Sequence, residues 1–172
     1  MDPAAILVEN LRDALSQVSQ YVGLGLVAAI SALVLDQPPS PDGKHAEKTD
    51  VSGFLVKMPR HVAQLVLLGV YFVAGIMAYI AAESALAILS QLSAPIRIAA
   101  CTQASIVTSA IGYRVIAAAL PILFVLPILW RQWKRLRAIS REDSSGAIML
   151  MGTFMIPYLA LGQALLRVRC DA

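Results

Sequence analysis

The stretch from Tyr113 to Arg141 constrains this chain more than any other part of its sequence. Its first part is a near-continuous apolar run of roughly 17 to 19 residues, about what a helix needs to cross the ~30 Å hydrocarbon layer of a bilayer. The run ends in a cluster of tryptophan and basic residues, which is typical of a membrane interface. The stretch therefore predicts a transmembrane helix over 113–131 and a basic interfacial segment over 131–141.

The composition of the whole chain indicates the same class of protein. Apolar residues make up 58% of the 172 residues and charged residues only 15%, with a mean hydropathy of +0.70. These values lie outside the usual range of soluble domains. We expect an all-α, polytopic membrane helical bundle that forms one domain (1–172) in the cell membrane. Its predicted segments are an amphipathic N-terminal helix (3–17), four transmembrane helices (18–35, 61–82, 113–131 and 146–166), a flexible loop (36–58) and an extramembrane helical hairpin (83–112).

Small residues recur four positions apart in the first two predicted spans. The pairs are Gly25 with Ala29 and Ala28 with Ala32, and the second span carries the series Ala74, Ala78 and Ala82. Small side chains let helix backbones approach closely in a membrane, where no hydrophobic drive brings helices together. We interpret the stripes as packing surfaces. The second helical pattern also continues past Glu83 until Ser93-Ala94-Pro95 interrupts it, which predicts a helix of about 50 Å at 1.5 Å per residue.

The basic cluster predicts the orientation of the chain. It consists of Trp130, Arg131, Trp133, Lys134, Arg135, Arg137 and Arg141. Lys and Arg are enriched in cytoplasmic loops, so this cluster and the 36–61 loop are expected inside the cell. Both termini and the hairpin are then expected on the non-cytoplasmic side. Contact with anionic lipid explains the cluster without a nucleic-acid partner.

One charged residue, Arg114, is predicted near the entry of the third span. If the span begins at Val115, its long side chain reaches the interface. If the span begins nearer Ala104, Arg114 lies inside the membrane and needs a partner, for which Glu83 is the best candidate. The two residues are therefore a possible intramembrane or interfacial ion pair.

Three prolines lie inside predicted spans. Pro121 and Pro127 occur in the third span and Pro157 in the fourth. Each proline removes a backbone hydrogen bond and tends to kink a helix, which membrane helices tolerate. The third span is accordingly expected to be bent, either as a hinge or as an ordinary membrane helix.

Motifs that would identify an enzyme or a metal site are absent from the sequence. There is no H-E-x-x-H, no G-x-x-x-x-G-K-[ST] and no serine elbow, and the acidic residues lie at predicted helix ends or in loops. His45 and His61 lack acidic or cysteine neighbours at ligand spacing. We therefore expect no catalytic, metal or cofactor-binding residues and no cofactor.

Two functions remain open at this point. The first is a non-enzymatic interaction subunit, anchor or assembly factor, which needs no buried charge. The alternative is an oligomeric channel or transporter component that uses the proline-bent third span. The expected partners are a second membrane protein or further copies of the chain.

Overall fold

The computed structural model describes residues 3–36, 60–97, 118–131 and 144–168. In these stretches it shows four helices of more than two turns, α1 (Pro3–Asp36), α2 (Arg60–Gln91), α3 (Ala118–Arg131) and α4 (Ser144–Arg167). No strand occurs in these four stretches, so the predicted all-α class is confirmed for them. Residues 37–59, 98–117, 132–143 and 169–172 lie outside the described part. They include most of the predicted loop and the return leg of the predicted hairpin.

Helix α1 is one continuous helix that covers both the predicted amphipathic segment and the first predicted span. Its 34 residues correspond to about 51 Å at 1.5 Å per residue. Pro3 is tolerated in the first turn, because the N–H groups of that turn have no partner inside the helix. The helix ends at Asp36, and the following Pro38 and Pro39 disfavour its continuation.

Helix α2 has 32 residues and is therefore about 48 Å long. It continues past Glu83 and ends at Gln91, which confirms the long helix expected from the sequence. The chain then bends before Pro95, and one further helical turn follows, in which the Arg97 N–H donates to the Ser93 carbonyl at 2.9 Å. Both helices are longer than the ~30 Å hydrocarbon core of a bilayer, and by a similar amount.

Helices α1 and α2 form an antiparallel pair. Near one end, the Gln64 side chain of α2 reaches the carbonyl of Ala32 on α1. Further along, Gly25 of α1 lies beside Ala74 of α2. At the other end, Leu11 belongs to the same buried cluster as α2 residues from its last two turns. The pair therefore stays in contact over most of its length.

Helix α4 lies against the same pair and runs parallel to α2. Tyr158 of α4 stacks on Tyr71, in the first half of α2. Val168, after the end of α4, belongs to the cluster of the last turns of α2. Helix α3 begins beside α4, where Ala118 approaches Gly162, and it contributes Val125 to the core.

Buried side chains form two clusters along the bundle. The larger cluster, here called the main cluster, joins all four helices and is rich in alanine. Its members are Val18, Ala28, Ala29, Ala32, Leu68, Tyr71, Ala78, Ala81, Ala82, Val125, Ile128, Leu129, Tyr158, Leu161, Ala164 and Leu165. The smaller, here called the end cluster, consists of Leu11, Ala14, Leu15, Ala85, Leu89, Leu92 and Val168. The end cluster holds the N-terminal part of α1, the C-terminal part of α2 and the end of α4 together.

Candidate functional site

The outer surface of α1 changes from mainly polar to apolar between Gln20 and Leu24. Toward its N-terminal end, after Ala5 and Ile6, the exposed side chains are polar, and they are Glu9, Asn10, Arg12, Asp13, Ser16, Gln17, Ser19 and Gln20. From Leu24 onward they are apolar, with Val27, Ile30 and Val34 following. The amphipathic pattern predicted for 3–17 therefore corresponds to a polar outer face and an inner face that packs in the end cluster.

The outer surface of α2 changes in the same way. Its exposed side chains are large and apolar as far as Ile80 and include Leu65, Val66, Val70, Val73 and Met77. Beyond that point they are small or polar, as at Ser84, Ala87, Ser90 and Gln91. Because the helices are antiparallel with Gly25 beside Ala74, the changes on the two helices lie at nearly the same height.

Tyr158 is the central side chain of the packing between α4 and the α1–α2 pair. Its ring stacks on the ring of Tyr71 with centroids 4.5 Å apart and planes 17° apart. Its hydroxyl donates a hydrogen bond to the backbone carbonyl of Tyr71 at 3.1 Å. A second ring contact, Phe72 with Phe154, joins the same two helices edge to face at 5.7 Å. The phenol of Tyr158 is therefore fully buried with a satisfied hydroxyl, as buried tyrosines require.

Two glycines create the space that Tyr158 occupies. A Cβ on Gly75 would lie 2.6 Å from the Tyr158 ring, 2.9 Å from another of its atoms and 3.0 Å from Pro157. A Cβ on Gly25 would collide with the Tyr158 hydroxyl. Tyr158 is thus enclosed between a glycine of α1 and a glycine of α2, and no other residue type fits at either position without movement.

Polar groups are scarce in the interior of the described part. Gln64 is the buried polar residue, and its Nε2 lies 3.4 Å from the carbonyl of Ala32. The Tyr71 hydroxyl and Nε of Arg97 are buried without a hydrogen-bond partner among the described residues. This interior contains no cluster of ionisable groups, and the described stretches hold no group of three or more His, Cys, Asp or Glu that could bind a metal.

A groove lies on the outer surface between α1 and α2. It has a volume of about 320 Å³, and its lining is almost wholly apolar, consisting of Tyr21, Leu24, Gly69, Val70, Val73, Ala74 and Met77. It lies on a different face of α2 from Tyr71 and Gly75, as the helical period of 3.6 residues requires. Helix α4 therefore does not cover it.

The structure describes one partner of the predicted ion pair. Glu83 lies in α2, is half-buried, and stands where the outer surface of α2 becomes polar. Arg114 is outside the described residues, so the pairing of Glu83 with Arg114 stays a prediction. The neighbouring Ser84 hydroxyl donates to the Ile80 carbonyl at 2.9 Å.

The predicted basic cluster is described at its first two residues. Trp130 and Arg131 form the end of α3, and Trp130 is 51% exposed. The other five residues, Trp133, Lys134, Arg135, Arg137 and Arg141, lie outside the described part. Their contact with lipid stays a prediction.

The three predicted kink prolines all lie inside helices. Pro121 is fully buried and Pro127 is exposed, and α3 is helical through both. Pro157 lies inside α4, and its Cβ would meet a side chain at Gly75. Pro121 and Pro157 thus lie on packed helix surfaces, and whether any of the three prolines is a hinge stays a prediction.

Sequence reasoning identified the stripes containing Gly25 and Ala74 but missed Tyr158 and the groove. The available signal was a tyrosine in the middle of each of two strongly apolar helices, since a buried phenol must find an acceptor. Its acceptor lies 87 positions away in sequence, on Tyr71. Comparisons of the chain with protein families, with curated proteins and with solved structures find no match.

Proposed function

We propose that the chain is an integral membrane protein that crosses the bilayer with α1, α2, α3 and α4. The supporting observation is a continuous outer surface of large apolar side chains. Two helices are long and apolar enough to cross a membrane, Ala5–Leu35 and Val62–Gln91, and only 28% and 39% of their most apolar windows are buried. A core helix of a soluble protein would be mostly buried, and a soluble surface rarely exposes so many large apolar residues together.

The predicted spans are long enough for a bilayer. Residues 18–35 of α1 rise about 26 Å and residues 61–82 of α2 rise about 32 Å, close to the ~30 Å of a hydrocarbon core. Apart from Ile6, the large exposed apolar side chains of α1 and α2 lie within these spans, from Leu24 to Val34 and from Leu65 to Ile80. The remaining turns of α1 and α2 then project from the membrane together, with polar side chains on their outer faces. These turns, residues 3–17 of α1 and 83–91 of α2, are called the helical extension below. It takes the place of the first leg of the predicted hairpin.

The proposed orientation follows from the two ends of the bundle. The end cluster joins Leu11 to Val168, so the first and last described helices have these ends on one side of the membrane. The opposite side carries Trp130 and Arg131 at the end of α3 and the start of the basic cluster. Basic residues favour the cytoplasmic side. We therefore place the helical extension and both termini on the non-cytoplasmic side of the cell membrane.

The function that this geometry supports best is a non-enzymatic interaction subunit or anchor. The observation that supports it is the end cluster, which packs the helical-extension parts of α1 and α2 together as one body. Its outer face carries both signs of charge, at Glu9, Arg12 and Asp13. A preorganised polar surface on rigid helices is suited to docking another protein, because little ordering entropy is lost on binding.

The test is isolation of the full chain from its native membrane in a mild detergent, followed by quantitative mass spectrometry. The proposal expects a stoichiometric partner that is lost when Arg12 and Asp13 are both replaced by Ala. The matched control replaces Ile30 and Val34, which are exposed within the apolar surface, by Leu. This control variant should retain the partner. Loss of the partner in both variants, or in neither, would contradict docking through the helical extension.

The alternative function is an oligomeric channel or transporter component built around α3. Its distinguishing outcome is a homo-oligomer without other subunits that carries ion current across phosphatidylcholine vesicles. Helix α3 places Pro127 on the exposed surface and Pro121 inside, so an α3-lined path would form only between copies. If the ion current depends on Pro127 and persists without a second protein, the channel function would replace the interaction function.

A further inference from the structure

We draw no further inference here: the strongest candidate, the apolar groove on the outer surface between α1 and α2, carries nothing because nothing in the described part of the chain shows what covers it.

Discussion

Gly75 allows the Tyr158 ring to pack against the backbone of α2. In Gly75→Ala the new Cβ would lie 2.6 Å from that ring, which Gly25 confines from the other side. We expect the variant to lose about 1–3 kcal/mol of stability, the usual cost of overpacking a tight core. Thermal unfolding in a mild detergent measures the effect. Gly23→Ala, which meets open space, is the control and should leave the midpoint unchanged or slightly raised.

Loss of the hydroxyl is expected to have opposite effects on stability at the two stacked tyrosines. Tyr158→Phe removes the hydrogen bond to the Tyr71 carbonyl and should cost about 0.6 kcal/mol, with ~1.7 kcal/mol as the upper end for such bonds in membranes. Tyr71→Phe removes a buried hydroxyl that has no partner in the described part, so stability should stay level or rise. Both variants keep the ring stack. A larger loss for Tyr71→Phe than for Tyr158→Phe in the same detergent melt would contradict this assignment.

At the scale of the helices, the end cluster determines whether the helical extension is one rigid element. Leu11 is fully buried in that cluster, whereas Leu24 on the same helix is 50% exposed. Leu11→Ala should weaken the cluster by about 2–5 kcal/mol, the range for a buried leucine. Amide hydrogen exchange should then accelerate over residues 3–16 and stay slow over residues 65–82. Leu24→Ala is the control, and equal acceleration in both variants would argue against a separate end cluster.

The helices also show why the predicted boundary at residue 17 is not a structural one. The sequence predicted an amphipathic helix over 3–17 that is distinct from the first span, but α1 continues without a break. Backbone hydrogen bonds inside a helix are satisfied both in water and in lipid, so one helix can pass from one solvent to the other. In the proposed membrane placement, only the outer side chains of α1 would record the change of solvent.

At the scale of the whole molecule, the arrangement of the helices predicts which residues lie on each side of the membrane. In a chain with Cys101 and Cys170 replaced by Ser, Ser16→Cys and Ser90→Cys should react with a membrane-impermeant maleimide on intact cells. Both serines are exposed on the helical extension. Arg131→Cys, at the other end of the bundle, should react only after the membrane is permeabilised. The reverse pattern would invert the orientation, and reaction of Ser16→Cys without Ser90→Cys would contradict the antiparallel pair.

Much of the helical content could be predicted from the sequence, because the signals are local. The apolar run lengths and the interruption at Ser93-Ala94-Pro95 led to the expected helices, and α2 passes Glu83 as predicted. The stripe with Gly25 and the stripe with Ala74 were each identified as a packing surface, and these two residues do lie side by side. The ion pair of Glu83 with Arg114 and the role of the basic cluster stay predictions.

The sequence by itself determined where the chain is helical and apolar, since run length, periodicity and proline act within a few turns. Only the tertiary structure decided which faces meet. Tyr158 fits between Gly25 and Gly75, and the groove opens between α1 and α2, through the juxtaposition of residues far apart in the chain. In a helix that is apolar all round, several faces are equally able to be buried. The shapes of the side chains and the distances at which the backbones can approach select among these faces. Hydropathy encodes neither property.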